Sequence, residues 1–337
     1  MPLVSYLHRV VARESLSAGD ARNAMLAILS GASTTVHIAA FLTALKMKGE
    51  TAEELVGFAR AMREKAVPVD AGLGGELLID TCGTGGDGGR TFNISTVAAF
   101  VAAGAGVRVA KHGNRSLSSQ CGSADVLEEL GVNISMPPAL AARAIREAGI
   151  GFLFAPAIHP AMKYAQPARA ELKMRTVFNL LGPLTNPARA TVQLIGAPSL
   201  EAAALMAEAL AQLGIARALV VHGSDGLDEI TTTGETAVFE INGAEVRRNS
   251  LTPEDFGVSR ALPRDLEGGD RTYNAGIMRG ILTGDQGPRT DIVLVNAAAA
   301  LVVANFASTR EEAMRLARIS IASGKAYKCL EELRGIR

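Results

Sequence analysis

Two polar, glycine-rich stretches lie close together in this chain, and their residue types suit a multiply charged anion. The first, GTGGDGGRTFNIST from Gly83 to Thr96, carries five glycines between Gly83 and Gly89. Glycine permits φ > 0 turns and lets backbone N–H groups come close to an anion. Gly86, Asp87, Thr91, Asn93, Ile94, Ser95 and Thr96 follow one another into the expected start of a helix, where free N–H groups and the positive dipole end favour phosphate. Ordinary N-capping by Asn93 or Ser95 explains the same letters equally well. The second stretch, KHGNRSLSS, runs Lys111, His112, Gly113, Asn114, Arg115, Ser116, Leu117, Ser118, Ser119 and places two cations, an amide and several hydroxyls around one glycine. A solvated loop is the plainer alternative. His112 taken alone is more often a structural hydrogen bonder than a catalyst.

Other residues extend this chemistry. Asp225-Gly-Leu-Asp-Glu229 sets Asp228 beside Glu229. Adjacent carboxylates repel, and a hard cation shared with phosphate oxygens relieves that repulsion, which points to magnesium; a turn with an acidic helix start is the competing account. Arg169, in HPAMKYAQPARAEL with His159, offers a fork for a carboxylate, although spacing alone fits an interface salt bridge as well. Gly83 to Gly88 formally matches the dinucleotide pattern GxGxxG, but the end of the second strand supplies Lys111, His112 and Arg115 instead of an acid for a ribose. No Gly-Lys-Ser/Thr follows for a P-loop. Cys82 and Cys121 flank the loops without an activating base and read as small packing residues.

The composition limits what these loops can serve. The chain has 337 residues, 48% hydrophobic, with Lys plus Arg equal to Asp plus Glu at 34 each. About two domains of ~150 residues are expected, with no net field for nucleic acid or an anionic membrane. Three scattered cysteines without CxxC spacing fit a reducing cytoplasm. No signal-peptide pattern opens the sequence, and the longest apolar run, Ile292 to Ala307, is broken by Asn296 and Asn305, so neither secretion nor a membrane span is expected.

The elements that must position the loops fall into two textures. Helical apolar spacing from Leu3 to Ala66, with Gly31 and Gly49 at expected C-caps and a Thr51/Glu54 capping box, gives a helical domain over 1–68. Ile38, Phe41 and Leu45 belong either to its core or to an interface. From 69 onward, β-rich runs alternate with Ala-rich helical segments, the pattern of an α/β domain around a mostly parallel sheet. Strands are expected at Glu76–Asp80, Val107–Ala110, Gly151–Phe154, Thr191–Ile195, Ala218–Val221 and Ala237–Ile241. Helices are expected at Ser95–Ala103, Ala124–Leu130, Ala139–Ala148, Leu200–Leu213 and after Asn296. The proline-rich stretch about 164–187 reads as a crossing between domains or a partner for the N-terminal helices, which leaves 69–163 and 188–337 as the α/β domain.

Long polar strings make the pattern specific. GTGGDGGRTFNIST, VAKHGNRSLSSQCGSADVLEELG, GIGFLFAPAIHPAMKY, RTVFNLLGPLTNPA and VVHGSDGLDEIT closely resemble the anthranilate phosphoribosyltransferases and stand in that family's order. The resemblance implies a homodimer formed through the helical domain and transfer of a phosphoribosyl group from phosphoribosyl diphosphate to anthranilate in tryptophan biosynthesis. It implies that Gly83, Gly86, Asp87, Thr91, Asn93–Thr96, Lys111–Ser119 and Ser123 bind phosphoribosyl diphosphate. It also implies that Ser95, Asp228 and Glu229 hold magnesium, two ions, and that Gly83, Asn114 and Arg169 contact anthranilate with His112, His159 and Gly182 nearby. His112 is a candidate proton acceptor. A pyrimidine nucleoside phosphorylase-like enzyme is the alternative, disfavoured by KHGNR and DGLDE, and a silent ligand-binding relative is disfavoured by the intact loops.

Overall fold

The computed structural model describes residues 2–85, 91–116 and 120–337, so Gly86, Asp87, Leu117, Ser118 and Ser119 lie outside the described residues. The chain opens with α1 (Pro2–Val11), α2 (Ala18–Leu29), α3 (Thr35–Lys48) and α4 (Ala52–Lys65). Each of the last three begins at a side-chain cap, Ser17, Thr34 or Thr51. Gly49 closes α3 at φ 87°, and the Thr51/Glu54 capping box forms. Glu54 is fully buried and accepts from Leu16 N (2.9 Å) and Lys48 Nζ (2.9 Å). Removing one partner of such a buried pair typically costs about 3–5 kcal/mol.

An α/β unit follows: β1 (Leu78–Asp80), α5 (Ile94–Ala105), β2 (Arg108–Gly113), α6 (Ser123–Glu129), α7 (Pro138–Glu147) and β3 (Ile150–Phe154). Three short helices, α8 (Ala155–Ile158), α9 (Gln166–Leu172) and α10 (Phe178–Leu184), then carry the chain to β4 (Val192–Gly196), α11 (Leu200–Leu213), β5 (Arg217–Gly223), β6 (Thr236–Asn242) and β7 (Glu245–Leu251). Four helices end it: α12 (Arg271–Leu282), α13 (Pro288–Val303), α14 (Arg310–Ala322) and α15 (Lys325–Gly335). The sheet order is β3-β2-β1-β4-β5-β6-β7, parallel from β3 to β5 and antiparallel from β5 to β7.

The expected fold class is therefore the observed one, with specific departures. β7 is an exposed edge strand, EVRRNSL, whose charges hide any alternation and guard the edge against further pairing. The helix expected after Asn296 begins earlier, at Pro288 following Gly287, a first-turn proline that the pattern of alanines obscured. Ile38, Phe41 and Leu45 are core residues, at 0–1% exposure. The crossing segment also packs with the N-terminal helices: Ala165, Ala168, Val177, Phe178 and Leu181 share one buried cluster with Phe41 and Phe58. That cluster continues onto α11 and the β4–β5 face, while α5 and α13 fill the other side of the sheet.

Candidate active site

The strand order reverses direction at β1. From β1 the chain moves to β2 and β3 on one side, then returns to β4 and β5 on the other. In open α/β sheets the crevice at the carboxyl ends beside such a switch point is where ligands bind. Here it is a cleft of about 270 Å³, walled by the loops after β1, β2 and β5, the start of α5, and α9–α10 of the crossing segment. Of the sequence candidates, Gly83, Thr91, Asn93–Thr96, Lys111–Ser116, Ser123, Arg169, Gly182, Asp228 and Glu229 all line it.

The acidic pair does not start a helix; it lies on the loop after β5, which crosses the end of β4. A Cβ on Gly196 would lie 1.6 Å from the Asp228 carbonyl oxygen, so only glycine lets the loop pass. A Cβ on Gly83 would come within 3.0 Å of Asp228 Oδ2. Thr84 reinforces this crossing, its N–H donating to Gly196 O (3.0 Å) and its hydroxyl to Asp228 Oδ2 (3.4 Å). Glu229 Oε1 accepts from the Ser95 N–H at 3.0 Å, at the positive end of α5. Just beyond, Asn296 on α13 grips Ile230: its Oδ1 accepts from Ile230 N (3.0 Å) and its Nδ2 donates to Ile230 O (2.9 Å). Asn296 is fully buried, and its role was hidden in sequence because it sits inside an alanine-rich helix with no polar neighbour.

These contacts change one expectation. The first amides of α5 are not free: Ile94 N bonds Phe92 O, Ser95 N bonds Glu229, and Thr96 N bonds Asn93 O. Nor does the Asn93 side chain cap the helix, since its Nδ2 donates to Cys121 O (3.1 Å) and its Oδ1 accepts from Asn274 (3.2 Å). An anion at this end meets side chains and loop groups, with the helix dipole behind them.

The second stretch is not all loop, since β2 runs on through Lys111, His112 and Gly113, and its two cations have different fates. Lys111 is buried, and its Nζ donates to Thr81 O (3.0 Å) and lies 3.4 Å from Ser95 Oγ, which fastens β2 beneath the cleft. Burial lowers its pKa, against the pull of Cys82, Asp80 and Glu229. Arg115 stays exposed but pairs with Asp125 (2.9 Å) and Glu128 (2.8 Å) of α6. Below lies Asp80, accepting from His112 N (3.1 Å) and Asn186 Nδ2 (2.8 Å). Burial pushes its carboxyl up to about 6, despite Asn186 and Lys111. Asp80, Cys82 and His112 bring ligand-type atoms together, yet burial drives the Cys82 thiol far up and Asp80 is already bonded, a poor setting for a cation.

The histidines face the crossing segment. His112 Nδ1 bonds Gly182 O at 2.9 Å, which fixes the N–H on that nitrogen and leaves Nε2 as an acceptor, buried and unpartnered among the described residues. Burial first, then the neighbouring His159, lowers its pKa to about 3. His159 lies behind it, off the cleft wall, with ring centroids 5.2 Å apart. Arg169 on α9 lies with its guanidinium carbon 5.2 Å from the Phe178 ring centroid and pairs with no carboxylate among the described residues. Phe178 and Asn179, which also line the cleft, and Arg175 were not among the residues expected from sequence. Arg175 donates to Thr84 O (3.1 Å) and Gly85 O (3.2 Å), tying the crossing segment to the first loop.

Comparison with known proteins fits this geometry. Residues 75–327 match the glycosyl transferase family a/b domain, and residues 4–66 match its helical bundle domain. An anthranilate phosphoribosyltransferase from Solibacter usitatus is 63% identical over 97% of this chain and 96% of its own length. The anthranilate phosphoribosyltransferase structure from Thermus thermophilus superposes with a TM-score of 0.92 at 45% identity, covering 98% of both chains. The Saccharomyces cerevisiae enzyme, solved in complex with phosphoribosyl diphosphate and magnesium, gives 0.90 at 29% identity, covering 99% of this chain and 97% of its own.

Two outcomes follow from the buried polar groups. Truncating Asn296→Ala leaves the Ile230 peptide unpaired, so stability should fall by about 1–3 kcal/mol with faster hydrogen exchange at the Ile230 amide; unchanged exchange would show that the side chain does not hold the loop. The second concerns pH. Burial, the main cause, lowers His159 from 6.5 to about 4 and His112 to about 3, so the unfolded chain takes protons that the fold refuses. Their contribution is complete above 6.5 and is lost as pH falls toward 4 for His159 and toward 3 for His112. Asp80 acts in the opposite sense, holding its proton up to about 6. His159→Gln should therefore shrink the drop in urea midpoint between about pH 7 and 5; an identical drop in variant and wild type would contradict the assignment.

Proposed function

The chain belongs to the anthranilate phosphoribosyltransferase family, and on that premise we propose how its cleft performs the family's reaction. The phosphoribosyl group of phosphoribosyl diphosphate passes to the amine of anthranilate, in tryptophan biosynthesis. The bond from C1 to the diphosphate oxygen breaks, a bond from C1 to nitrogen forms, and one amine proton leaves with the diphosphate or to solvent. The observation carrying this reading is the convergence of two loops, the Asp228–Glu229 pair and Arg169 on one cleft at the switch point.

Phosphoribosyl diphosphate occupies the part of the cleft walled by Gly83, Thr91, Asn93–Thr96, Lys111–Ser116 and Ser123. Gly86, Asp87 and Leu117–Ser119 complete this proposed set. The fit to magnesium rests on donor chemistry: Ser95, Asp228 and Glu229 offer only oxygen ligands, the set that hard cations prefer. These three would hold two ions, which neutralise charge on the departing diphosphate. The Ser95 N–H holds Glu229 in place, and Thr84 steadies Asp228, so the carboxylates are positioned before substrate arrives.

Arg169, flanked by the Phe178 ring, takes the anthranilate carboxylate, with Gly83, Asn114 and Gly182 beside it. Gly182 would meet nothing within 4 Å at its Cβ position, and that open space admits a flat ring. His112 Nε2 accepts a hydrogen bond from the amine and aims it at C1, with His159 supporting the imidazole from behind. With a pKa of about 3 it is too weak to deprotonate the amine before attack. An aryl amine, already neutral at about pH 7, needs no such base.

The protein is proposed to act as a cytoplasmic homodimer. All three cysteines are free and buried, and among the described residues no helix is long and apolar enough to cross a membrane. On α3, Val36 (75% exposed), Ala40 and Met47 (71%) form one stripe at helical spacing, and α1, which packs on α3, exposes Val11. A Val36→Asp change should convert a dimer to a monomer by light scattering; a monomeric wild type would refute the interface.

Two activity measurements test the site. Asp228→Asn with Glu229→Gln should lower turnover by orders of magnitude and raise the magnesium requirement, and wild-type activity at limiting magnesium would remove the pair from the metal site. Arg169→Ala should chiefly raise the anthranilate KM, since the contact is uniform binding. A rise confined to the KM for phosphoribosyl diphosphate would reassign it.

A further inference from the structure

A second cavity, of about 490 Å³, opens at the opposite ends of β4 and β5 from the cleft, between α4, the stretch after α10 and the end of α11. Three guanidinium groups line it. Arg60 and Arg63 stand three residues apart on one face of α4, and Arg189 reaches it from the loop before β4. Among the described residues none of the three pairs with a carboxylate. Glu64, the one carboxylate on this wall, is taken by Arg22 and lies near Lys65. Partial removal from water lowers the Arg63 pKa, and the charges of Arg189 and Arg60 lower it further, so the three are close enough to repel.

Helix ends explain only part of this cluster. α4, α10 and α11 all finish nearby, and cations are favourable at such ends. Arg63 Nε does donate to Leu184 O at the end of α10 (2.8 Å). No hydrogen bond to a helix carbonyl holds Arg60 or Arg189 among the described residues. An independent feature sits on the same wall. Gln193 is 2% exposed, and its Nε2 donates to Pro183 O (2.7 Å), which fixes the amide's orientation; its Oε1 is left buried without a partner among the described residues. A buried acceptor of this kind is unfavourable until a donor reaches it. The cavity wall thus sets three positive charges beside a residue with one orphaned acceptor, a combination that suits an anion carrying an O–H.

We propose that this cavity binds a hydrogen-phosphate group, its charged oxygens paired with Arg60, Arg63 and Arg189 and its O–H donated to Gln193. Guanidinium forks match phosphate oxygens, and a volume of this size admits a free ion or a small monoester. Such an anion ties α4 of the helical domain to the crossing segment and the base of the sheet. It lies apart from the catalytic cleft, so its occupancy does not depend on the substrate assignment above.

Titration calorimetry with inorganic phosphate, sulfate and ribose 5-phosphate tests this on the wild type and on an Arg60→Gln/Arg189→Gln variant. The variant should bind phosphate about tenfold more weakly while its kcat and its KM for phosphoribosyl diphosphate stay within about twofold of wild type. Arg189→Gln alone, which breaks no side-chain hydrogen bond or ion pair among the described residues, should give a smaller loss and guards against misfolding. Parallel weakening of ribose 5-phosphate assigns the cavity to monoesters, and weakening of phosphate alone assigns it to the free ion. Phosphate binding that is equal in variant and wild type overturns the site, and sulfate binding as tight as phosphate overturns the role of Gln193.

Discussion

A carboxylate held against the start of a helix organises this molecule. Glu229 reaches the Ser95 N–H across 134 positions of sequence, and that one bond brings the loop after β5 to the loop after β1. It joins opposite charges, the carboxylate and the positive end of α5, so it is stronger than a neutral bond. Much of the surrounding structure serves it. Gly196 clears the path over β4, Thr84 fastens the same crossing, and Asn296 supplies Ile230 with the hydrogen bonds that a neighbouring strand would otherwise give.

Under that contact the floor of the cleft is polar and sealed. Asp80, Lys111 and Asn186 are all nearly inaccessible to water, and each is hydrogen-bonded, as buried polar groups generally must be. Asn186 bridges Asp80 and Ala110 O, so the crossing segment is joined to the end of β1 and the middle of β2 by hydrogen bonds as well as by packing. The floor is therefore common to both parts of the fold. Gln193 differs: it lines the arginine cavity, and its Oε1 is buried without a partner among the described residues.

Legibility in the sequence followed the strength of local signals. The Thr51/Glu54 box and the Gly49 cap were readable because caps involve residues only a few positions apart. The central strands were readable because burial on both faces demands uninterrupted apolar runs, as in VQLIG of β4. β7 was not, since a solvent-facing edge strand is selected for charge, and the start of α13 was not, since Pro288 resembles a break. The cleft's membership was mostly legible from long polar strings; Phe178 and Arg175 stood within one of them, RTVFNLLGPLTNPA, with no sign of their individual contacts, and Asn296 stood outside them all.

By itself, then, the sequence determined the chemical inventory: glycines that admit an anion, a carboxylate pair for a hard cation, an arginine for a carboxylate, and an α/β alternation that places loops at strand ends. It did so because those choices rest on residue type and short spacing. Only the tertiary structure decided how each group is deployed. Lys111 is buried under Thr81, Arg115 is spent on Asp125 and Glu128, the first amides of α5 are already bonded, and His112 is held neutral by burial. Each of those outcomes depends on a partner or on a loss of water fixed by packing, and neither is encoded in the spacing of the residues concerned.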